Sequence, residues 1–313
     1  MLDSVKETIA IGEQGGVPTQ ISHHKVIGKA NWGKSVETLR LVDEARARGV
    51  DTTVDVYPYT ASSTSIQAAL MPAWALEGGP RATVKRLQDP ATRARVIQEM
   101  RTPTDAWENL FLLAGSPDRV LLIGFKNEKL KPLTGKTLAE VAAMRGVSPE
   151  DAAIDLVIED ESRVETVYFL MSEDNVRKQI RLPWVSFGSD AGASAPEGVF
   201  LKSSTHPREY GNFANLLGRY VRDEKLIPLE EAIRRLTSMP ATNLGIAERG
   251  SLQEGSFADV VVFDPNTIAA KSTFEKPRQY AVGMQHVFVN GVQILKGGEH
   301  TGAKPGRVVV KKR

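Results

Sequence analysis

The sequence contains no cysteine, no long apolar run and no excess of either charge. Without cysteine, the chain can form neither a disulfide nor a thiolate metal site from its own residues. Because no apolar run approaches the ~18 residues that a membrane span requires, we expect no transmembrane helix. Forty basic residues against 38 acidic ones give a formal net charge of +2, without any block of like charge. This balance argues against a nucleic-acid partner and against a membrane-surface partner.

The remaining composition is that of an ordinary folded protein. The 313 residues are 41% hydrophobic and 25% charged, with 26 glycines and 17 prolines, which excludes a collagen-like or disordered chain. The beginning of the chain, residues 2–13, predicts an amphipathic helix and not a signal peptide. We therefore expect a cytoplasmic protein, and the sequence leaves open whether it forms a homo-oligomer.

The distribution of helix and strand signals predicts an α/β fold in four parts. Over residues 1–64, short β-branched runs alternate with helix-spaced apolar residues, which is typical of parallel βαβ units. The alternation fails between residues 65 and 182, and we interpret this stretch as an inserted α/β subdomain. A strand followed by helices resumes over 183–250. From 251 to 313 the pattern is all-β, with a hairpin signal at Asn290-Gly291, and predicts a small β module.

Polar side chains lie where three of the predicted strands end. His23 and Lys25 share one face at the end of the first strand, because alternate residues of a strand point the same way. Asp55 and Tyr57 end the second strand, and Asp190 ends a later one. The carboxyl ends of parallel strands meet at one edge, where α/β proteins place their sites. A single histidine there is more often structural, but three such strand ends together favour a functional site.

A different motif follows the first strand. Residues 28–35, from Gly28 to Ser35, match the phosphate-binding pattern G-x-x-x-x-G-K-[ST], with Lys34 and Ser35 where phosphate and Mg²⁺ would be contacted. The preceding strand ends in His-His-Lys, whereas a phosphate-binding loop normally follows an apolar strand, and this disfavours a nucleotide binder. The alternative is a plain loop between strand and helix, with Ser35 as the helix N-cap.

Four blocks of the sequence resemble the N-acyl-D-amino-acid deacylases, or D-aminoacylases, of the amidohydrolase superfamily. They are Ile21-Ser22-His23-His24-Lys25, Asp55-Val56-Tyr57-Pro58-Tyr59, Phe187-Gly188-Ser189-Asp190 and His206-Pro207-Arg208. A tail typical of the whole superfamily follows over residues 236–264, so the resemblance covers essentially the full chain. It implies the C-terminal part of a TIM-like (β/α)₈ barrel with an inserted subdomain, plus a small β-sandwich module at 251–313.

The resemblance also implies roles for individual side chains. His23 resembles a zinc ligand, and Asp190 resembles the aspartate that takes a proton from zinc-bound water and delivers it to the leaving amine. The residues that would hold the substrate's α-carboxylate are Lys25, Tyr57, Ser63 and Arg208. The implied activity is hydrolysis of the linear amide of an N-acyl-D-amino acid, a small-molecule substrate, by zinc-activated water.

The departure from this family concerns the metal. Family members carry a His-x-His pair, a cysteine and a further histidine ahead of the block that contains His23, and this chain has none of them. His23 and Asp190 alone fall short of the three protein ligands of catalytic zinc. We therefore expect a truncated, inactive portion of a deacylase. The alternatives are a fragment or pseudoenzyme that needs an N-terminal half, the nucleotide binder, and a cyclic-amide amidohydrolase without the carboxylate-binding set.

Overall fold

A computed structural model describes residues 1–310 of the chain and shows the mixed α/β structure that the sequence predicts. The strands, in chain order, are β1 Thr19–Ile21, β2 Thr52–Val56, β3 Ala61–Ser65, β4 Val120–Gly124, β5 Glu165–Phe169, β6 Val185–Phe187, β7 Val260–Phe263, β8 Met284–Val289, β9 Val292–Lys296 and β10 Glu299–His300. The first six helices are α1 Leu2–Gly15, α2 Ser35–Ala47, α3 Ile66–Leu70, α4 Pro80–Leu87, α5 Pro90–Arg101 and α6 Leu110–Ala114. The others are α7 Leu138–Arg145, α8 Pro149–Asp160, α9 Glu173–Ile180, α10 Arg208–Asn215, α11 Leu229–Leu236 and α12 Ser238–Asn243. None of these helices is both long enough and apolar enough to cross a membrane.

Strands β1, β2 and β6 form a parallel sheet in that order, with Ile21 opposite Val54 and Val56 opposite Phe187. Both valines of the central strand β2 are fully buried, as is usual for a strand that is covered on both faces. Helices α1, α2, α9 and α11 pack apolar side chains into the core of this sheet. Within residues 1–310 the sheet keeps open edges at β1 and β6 and does not close into a barrel. The barrel that the resemblance implies therefore stays a prediction.

A second sheet, antiparallel and in the order β3-β5-β4, lies in the stretch interpreted as an inserted subdomain. Helices α3 to α8 share one apolar core with it. Because β3 pairs with β5 along its whole length, the boundary placed after residue 64 falls inside a strand. The five residues of β3 are Ala-Ser-Ser-Thr-Ser, which have few β-branched members and give no strand signal of their own. Helix α9, at the end of the same stretch, packs on the first sheet through Val176 and Ile180.

The C-terminal strands form an antiparallel sheet in the order β10-β9-β8-β7. The predicted turn at Asn290-Gly291 joins β8 to β9, with positive φ angles of 50° and 81° that a type I′ hairpin requires. The described residues form a single sheet here, and residues 311–313 lie outside them. The β-sandwich module at 251–313 therefore stays a prediction, whereas its all-β character is seen.

Within residues 183–250 the sequence predicts a helix over residues 213–223, but the observed helix begins earlier. Helix α10 starts at Arg208, directly after Pro207, and continues as a π-helical segment over Leu216–Asp223. Proline lacks an N–H and has a fixed φ, so it suits a position at the start of a helix, and this signal was missed. The earlier start places Arg208 at a helix N-terminus beside the first sheet.

Close packing joins the π-helical segment to the C-terminal part of the chain, and this contact can be tested. A Cβ added at Gly218 would lie 2.5 Å from the carbonyl oxygen of Ile268, which also accepts a hydrogen bond from Arg222. We expect Gly218→Ala to lower the free energy of unfolding by about 1–3 kcal/mol, the usual cost of overpacking. Urea denaturation measures it. Gly33→Ala is the control, because nothing lies within 4 Å of its added Cβ; equal losses in both variants would contradict the contact.

Candidate functional site

Five of the six predicted site residues meet at the carboxyl edge of the parallel sheet. Lys25 Nζ donates to His23 Nδ1 at 3.1 Å and lies 5.1 Å from the centre of the Tyr57 ring. The guanidinium carbon of Arg208 lies 4.5 Å from the centre of the same ring. Arg208 Nη2 forms an ion pair with Asp190 Oδ2 at 2.8 Å. The parallel strands β1, β2 and β6 thus deliver His23, Tyr57 and Asp190 to one place, as the strand-end pattern predicts.

The sixth residue, Ser63, is held differently. It lies in the middle of β3, and its hydroxyl donates to the carbonyl oxygen of Thr166 in the neighbouring strand β5 at 3.0 Å. None of the hydrogen bonds or ring contacts among residues 1–310 joins it to the other five. Its part in carboxylate binding stays a prediction.

Asp55 shapes the turn that carries His23. Its Oδ1 accepts the backbone N–H of His23 at 2.7 Å, and its Oδ2 accepts Gln20 Nε2 at 2.5 Å. His23 has a left-handed φ of 42° and Asp190 one of 47°, a conformation that non-glycine residues rarely adopt. Such backbone strain concentrates at functional sites. The strand-end pattern includes Asp55 without predicting a role for it. In the structure, Asp55 stabilises the turn at His23 through the hydrogen bond from the His23 backbone N–H.

The Arg208 side chain is buried with incomplete pairing. It is only 6% exposed, whereas the Asp190 side chain is 37% exposed. Arg208 Nε and Nη1 have no hydrogen-bond partner among residues 1–310. A buried guanidinium with unused N–H groups is costly, and a carboxylate is the group that satisfies it best, since it can accept two parallel hydrogen bonds. The geometry therefore supports an anion-binding role for Arg208.

Burial controls the charges around Arg208. It lowers the pKa of Lys25 to about 8, against the opposing attraction of Asp190, and the positive charge of Arg208 lowers this pKa further. For Tyr57, burial acts in the opposite direction and raises the pKa, so its hydroxyl stays protonated at neutral pH. At neutral pH the site therefore offers the positive charges of Lys25 and Arg208, the second paired with Asp190, and one neutral hydroxyl.

The residues described do not fit a zinc ion by themselves. They contain no group of three or more histidine, cysteine, aspartate or glutamate side chains placed to hold a metal. Nδ1 of His23 is engaged by the Lys25 ammonium, and Asp190 is engaged by Arg208. A catalytic zinc ion needs three protein ligands, so His23 and Asp190 are too few.

The segment that matches the phosphate-binding pattern is folded in another way. Residues Lys29–Lys34 form a 3₁₀ helix, and Lys34 Nζ donates to Asn31 Oδ1 at 2.8 Å. The Ser35 hydroxyl is fully buried and donates to Asn175 Oδ1 at 2.7 Å, so it is not available to a Mg²⁺ ion. The N-cap of α2 is Lys34 and not Ser35 as predicted, because the Ser35 hydroxyl bonds to Asn175 and not to the helix. This geometry disfavours the nucleotide binder.

His206, in the block His206-Pro207-Arg208, has no role that the sequence predicts. His206 is 3% exposed, and the nearest aromatic rings are those of Tyr59 and Phe274, with ring centres at 5.3 Å and 5.2 Å. Its Nδ1 accepts the backbone N–H of Arg208 at 3.0 Å. Its Nε2 lies 3.0 Å from the carbonyl oxygen of Ala61. Burial lowers the pKa of His206 to about 3, so the ring is neutral at neutral pH.

Comparison with known proteins gives consistent matches. The sequence pattern of the amidohydrolase family matches residues 4–295. A D-aminoacylase of Alcaligenes xylosoxydans xylosoxydans is 35% identical over 308 residues, which are 98% of this chain and 52% of that protein. An N-acyl-D-glutamate deacylase of the same organism is 34% identical over 306 residues, which are 98% of this chain and 51% of that protein.

A solved structure is similar as well. It is the crystal structure of N-acyl-D-glutamate deacylase from Bordetella bronchiseptica, complexed with zinc and a phosphonate inhibitor that mimics the tetrahedral intermediate of the reaction. The TM-score is 0.70 and the identity 33%, over 93% of this chain and 50% of that one. The chain spans about half the length of the curated relatives it matches.

The shortage of metal donors leads to a prediction about zinc. We expect the 313-residue chain to bind zinc weakly at neutral pH, because two protein ligands hold the ion poorly. Dialysis against a mild chelator, followed by metal analysis, should leave far less than one zinc per chain, with no difference between the wild type and His23→Gln. Stoichiometric zinc that survives dialysis and is lost in His23→Gln would contradict this expectation.

The buried neutral ring of His206 leads to a prediction about acid stability. In the unfolded chain this histidine gains a proton below its ordinary pKa of 6.5, whereas in the folded chain it stays neutral down to about 3. Stability is therefore lost as the pH falls through this window, by up to about 1.4 kcal/mol per pH unit. Urea unfolding at several pH values between about 7 and 4 should show a shallower loss for His206→Asn, which has no titrating ring. If the wild type and His206→Asn lose stability equally as the pH falls, His206 takes up its proton in the folded chain too.

Proposed function

The chain belongs to the amidohydrolase family, and from this premise we propose that it forms the carboxylate-binding part of an N-acyl-D-amino-acid deacylase. The proposed reaction is hydrolysis of a linear amide to a carboxylate and a D-amino acid. Its support is the similarity to a D-aminoacylase and to an N-acyl-D-glutamate deacylase over nearly the whole chain. Because the chain covers about half of each relative, the proposal concerns the complete protein in which these residues would act.

The observation that carries the proposal is the incompletely paired, buried Arg208. One of its nitrogens pairs with Asp190, and Nε and Nη1 remain free to donate. Lys25 adds a second charge on the face of Tyr57 and keeps its proton at neutral pH. Asp190 is one carboxylate beside these two cations, and a substrate with a free α-carboxylate next to the scissile amide supplies a second one. An amide without that carboxylate leaves Nε and Nη1 of Arg208 without a hydrogen-bond acceptor among the described residues.

Asp190 is the proposed carrier of the proton. Its carboxylate is partly exposed at the end of β6 and beside Arg208, where the substrate would be anchored. Hydrolysis joins the hydroxyl of water to the carbonyl carbon and breaks the C–N bond, and the remaining proton of that water must reach the amine. Asp190 can accept this proton and pass it on. His23 and Asp190 are too few donors for zinc, so this proposal assigns the described residues to the substrate and the proton only.

Because the described residues supply too few zinc ligands, substrate binding and hydrolysis have different requirements. We expect the 313-residue chain alone to bind an N-acyl-D-amino acid without hydrolysing it, which corresponds to the fragment or pseudoenzyme alternative. Binding is therefore the property to measure, because the proposed substrate contacts come from side chains that lie at one edge of the parallel sheet.

Replacement of Arg208 tests the proposal. Arg208→Gln should weaken binding of N-acetyl-D-methionine by about 2–5 kcal/mol, the usual cost of removing one partner of a buried charge pair. Binding of N-acetyl-D-methioninamide, which lacks the carboxylate, should change little. Isothermal titration calorimetry or NMR titration of the 313-residue chain measures both affinities.

The control for charge removal is Arg40→Gln, since Arg40 is exposed and, within residues 1–310, forms its ion pair with Glu44 on the outer face of α2. It should leave both affinities unchanged.

If the wild-type chain binds the acid and the amide equally well, the proposed carboxylate-binding role of Arg208 is wrong and the cyclic-amide alternative gains support. Binding of N-acetyl-L-methionine should be weaker than that of the D form, because with the carboxylate held at Arg208 and the amide held beside Asp190 the two hands direct the side chain to different places.

A further inference from the structure

His206 lies where three parts of the chain meet. Its Nε2 contacts the carbonyl oxygen of Ala61 at the start of β3, in the subdomain sheet. Its ring lies edge-on to Tyr59, which follows β2, and to Phe274, which lies between β7 and β8. At 3% exposure the ring has no room to reorient. A single side chain therefore connects the first sheet, the subdomain and the C-terminal part of the chain.

The hydrogen bonds fix which nitrogen carries the proton. Because the backbone N–H of Arg208 donates to Nδ1 at 3.0 Å, Nδ1 must be unprotonated. The proton of the neutral ring is then on Nε2, which donates to the carbonyl oxygen of Ala61 at 3.0 Å. The low pKa of about 3 agrees with this neutral form.

The bond to Arg208 fills a gap in the helix. Arg208 is the first residue of α10, and the first N–H groups of a helix have no acceptor inside the helix. An N-cap side chain normally accepts the second or third N–H of a helix, and the N-cap of α10, Pro207, has no side-chain acceptor. The His206 ring accepts the first N–H of the helix, that of Arg208, two residues away. It therefore holds the backbone from which the substrate-binding guanidinium projects.

Further bonds hold the same helix end against the site. Ser272 Oγ donates to the carbonyl oxygen of Pro207 at 2.9 Å. Asn212 Nδ2, in the next turn of α10, donates to the carbonyl oxygen of Gly188 at 2.9 Å, directly after β6. The start of α10 is thus tied to the strand end that carries Asp190. His206 is the member of this set that bonds directly to Arg208.

We propose that His206 is a positioning residue, whose Nδ1 acceptor sets the place of the Arg208 guanidinium and thereby the preference for a substrate carboxylate. This inference rests on the proposed function of Arg208. It requires that the acceptor at Nδ1 matters more than the volume of the ring. A purely structural role in the core would instead make every replacement act through stability alone.

Three replacements separate these two roles. His206→Asn keeps an acceptor near the position of Nδ1, because its Oδ1 is the same number of bonds from Cα. His206→Gln keeps a donor near the position of Nε2 but loses the acceptor for Arg208. His206→Ala loses both. Asparagine and glutamine remove similar aromatic contacts, so each serves as the matched control of the other.

The experiment measures three quantities for each variant of the 313-residue chain. These are the free energy of unfolding in urea, the hydrogen-exchange protection of the Arg208 amide, and the ratio of affinities for N-acetyl-D-methionine and N-acetyl-D-methioninamide. We expect His206→Gln and His206→Ala to lose about tenfold in that ratio, together with the protection of the Arg208 amide. His206→Asn should keep both close to the wild type although it is destabilised about as much as His206→Gln.

The opposite outcomes contradict either the positioning role of His206 or the proposed function of Arg208. If His206→Gln keeps the ratio and the protection, or if His206→Asn loses as much as His206→Ala, the positioning role is wrong. A wild-type chain that does not prefer the carboxylate would contradict the proposed function and, with it, this role. The ¹⁵N NMR shifts of the wild-type ring give a check that needs no variant: an Nδ1–H tautomer would overturn the proposal even if the replacements fail to fold.

Discussion

The charge of Arg208 is the constraint on which the rest of the site depends. A guanidinium that is 6% exposed has lost most of its hydration, and only protein groups or a ligand can compensate for that loss. Asp190 supplies one carboxylate oxygen, and the face of Tyr57 supplies a weaker attraction. These two partners come from the ends of β6 and β2. Strands that must deliver partners to one buried cation have little freedom to shift against one another.

The parallel sheet explains why such partners arrive together. In β1, β2 and β6 all carboxyl ends lie at one edge, so residues just past each strand are neighbours although they are far apart in sequence. Lys25 reaches this edge from the turn after β1, where Asp55 holds the left-handed backbone of His23. The apolar core below is formed by β-branched residues such as Val54 and Val185, which leave the polar chemistry to the edge.

Local sequence patterns are sufficient to predict those strands and helices whose own residues show an apolar run or helical spacing. The apolar run Val120–Gly124 predicts a strand with the observed bounds of β4, and the helices predicted over residues 35–48, 90–100, 137–145 and 148–161 agree with α2, α5, α7 and α8 within a residue or two. β3 was missed because its polar residues become a strand only when β5 lies beside them, a contact between residues about a hundred positions apart. The early start of α10 was missed because its signal is Pro207 and not apolar periodicity.

The same distinction applies to the site. Residues that end strands could be grouped from the sequence, and His23, Lys25, Tyr57 and Asp190 do lie together. Arg208, which only the resemblance named, lies with them, and the roles of all five stay predictions. Ser63 and His206 show the limit of that approach. The hydroxyl of Ser63 is taken by a backbone carbonyl across the sheet, and the acceptor function of His206 exists only once α10 begins at Arg208. Both facts depend on tertiary partners that no local pattern contains.

The unequal exposure of the two ion-pair partners has a consequence for how a substrate would enter. Water can solvate Asp190 if it separates from Arg208, whereas Arg208 has no comparable access to solvent. In the proposed function, a substrate carboxylate that binds Nε and Nη1 of Arg208 makes the pairing with Asp190 dispensable, because the cation stays paired and the released carboxylate is hydrated. On this proposal, binding of the substrate would leave Asp190 with an unengaged carboxylate. Substrate anchoring and the release of the proposed proton carrier would then be one event, and an amide that lacks the carboxylate would trigger neither.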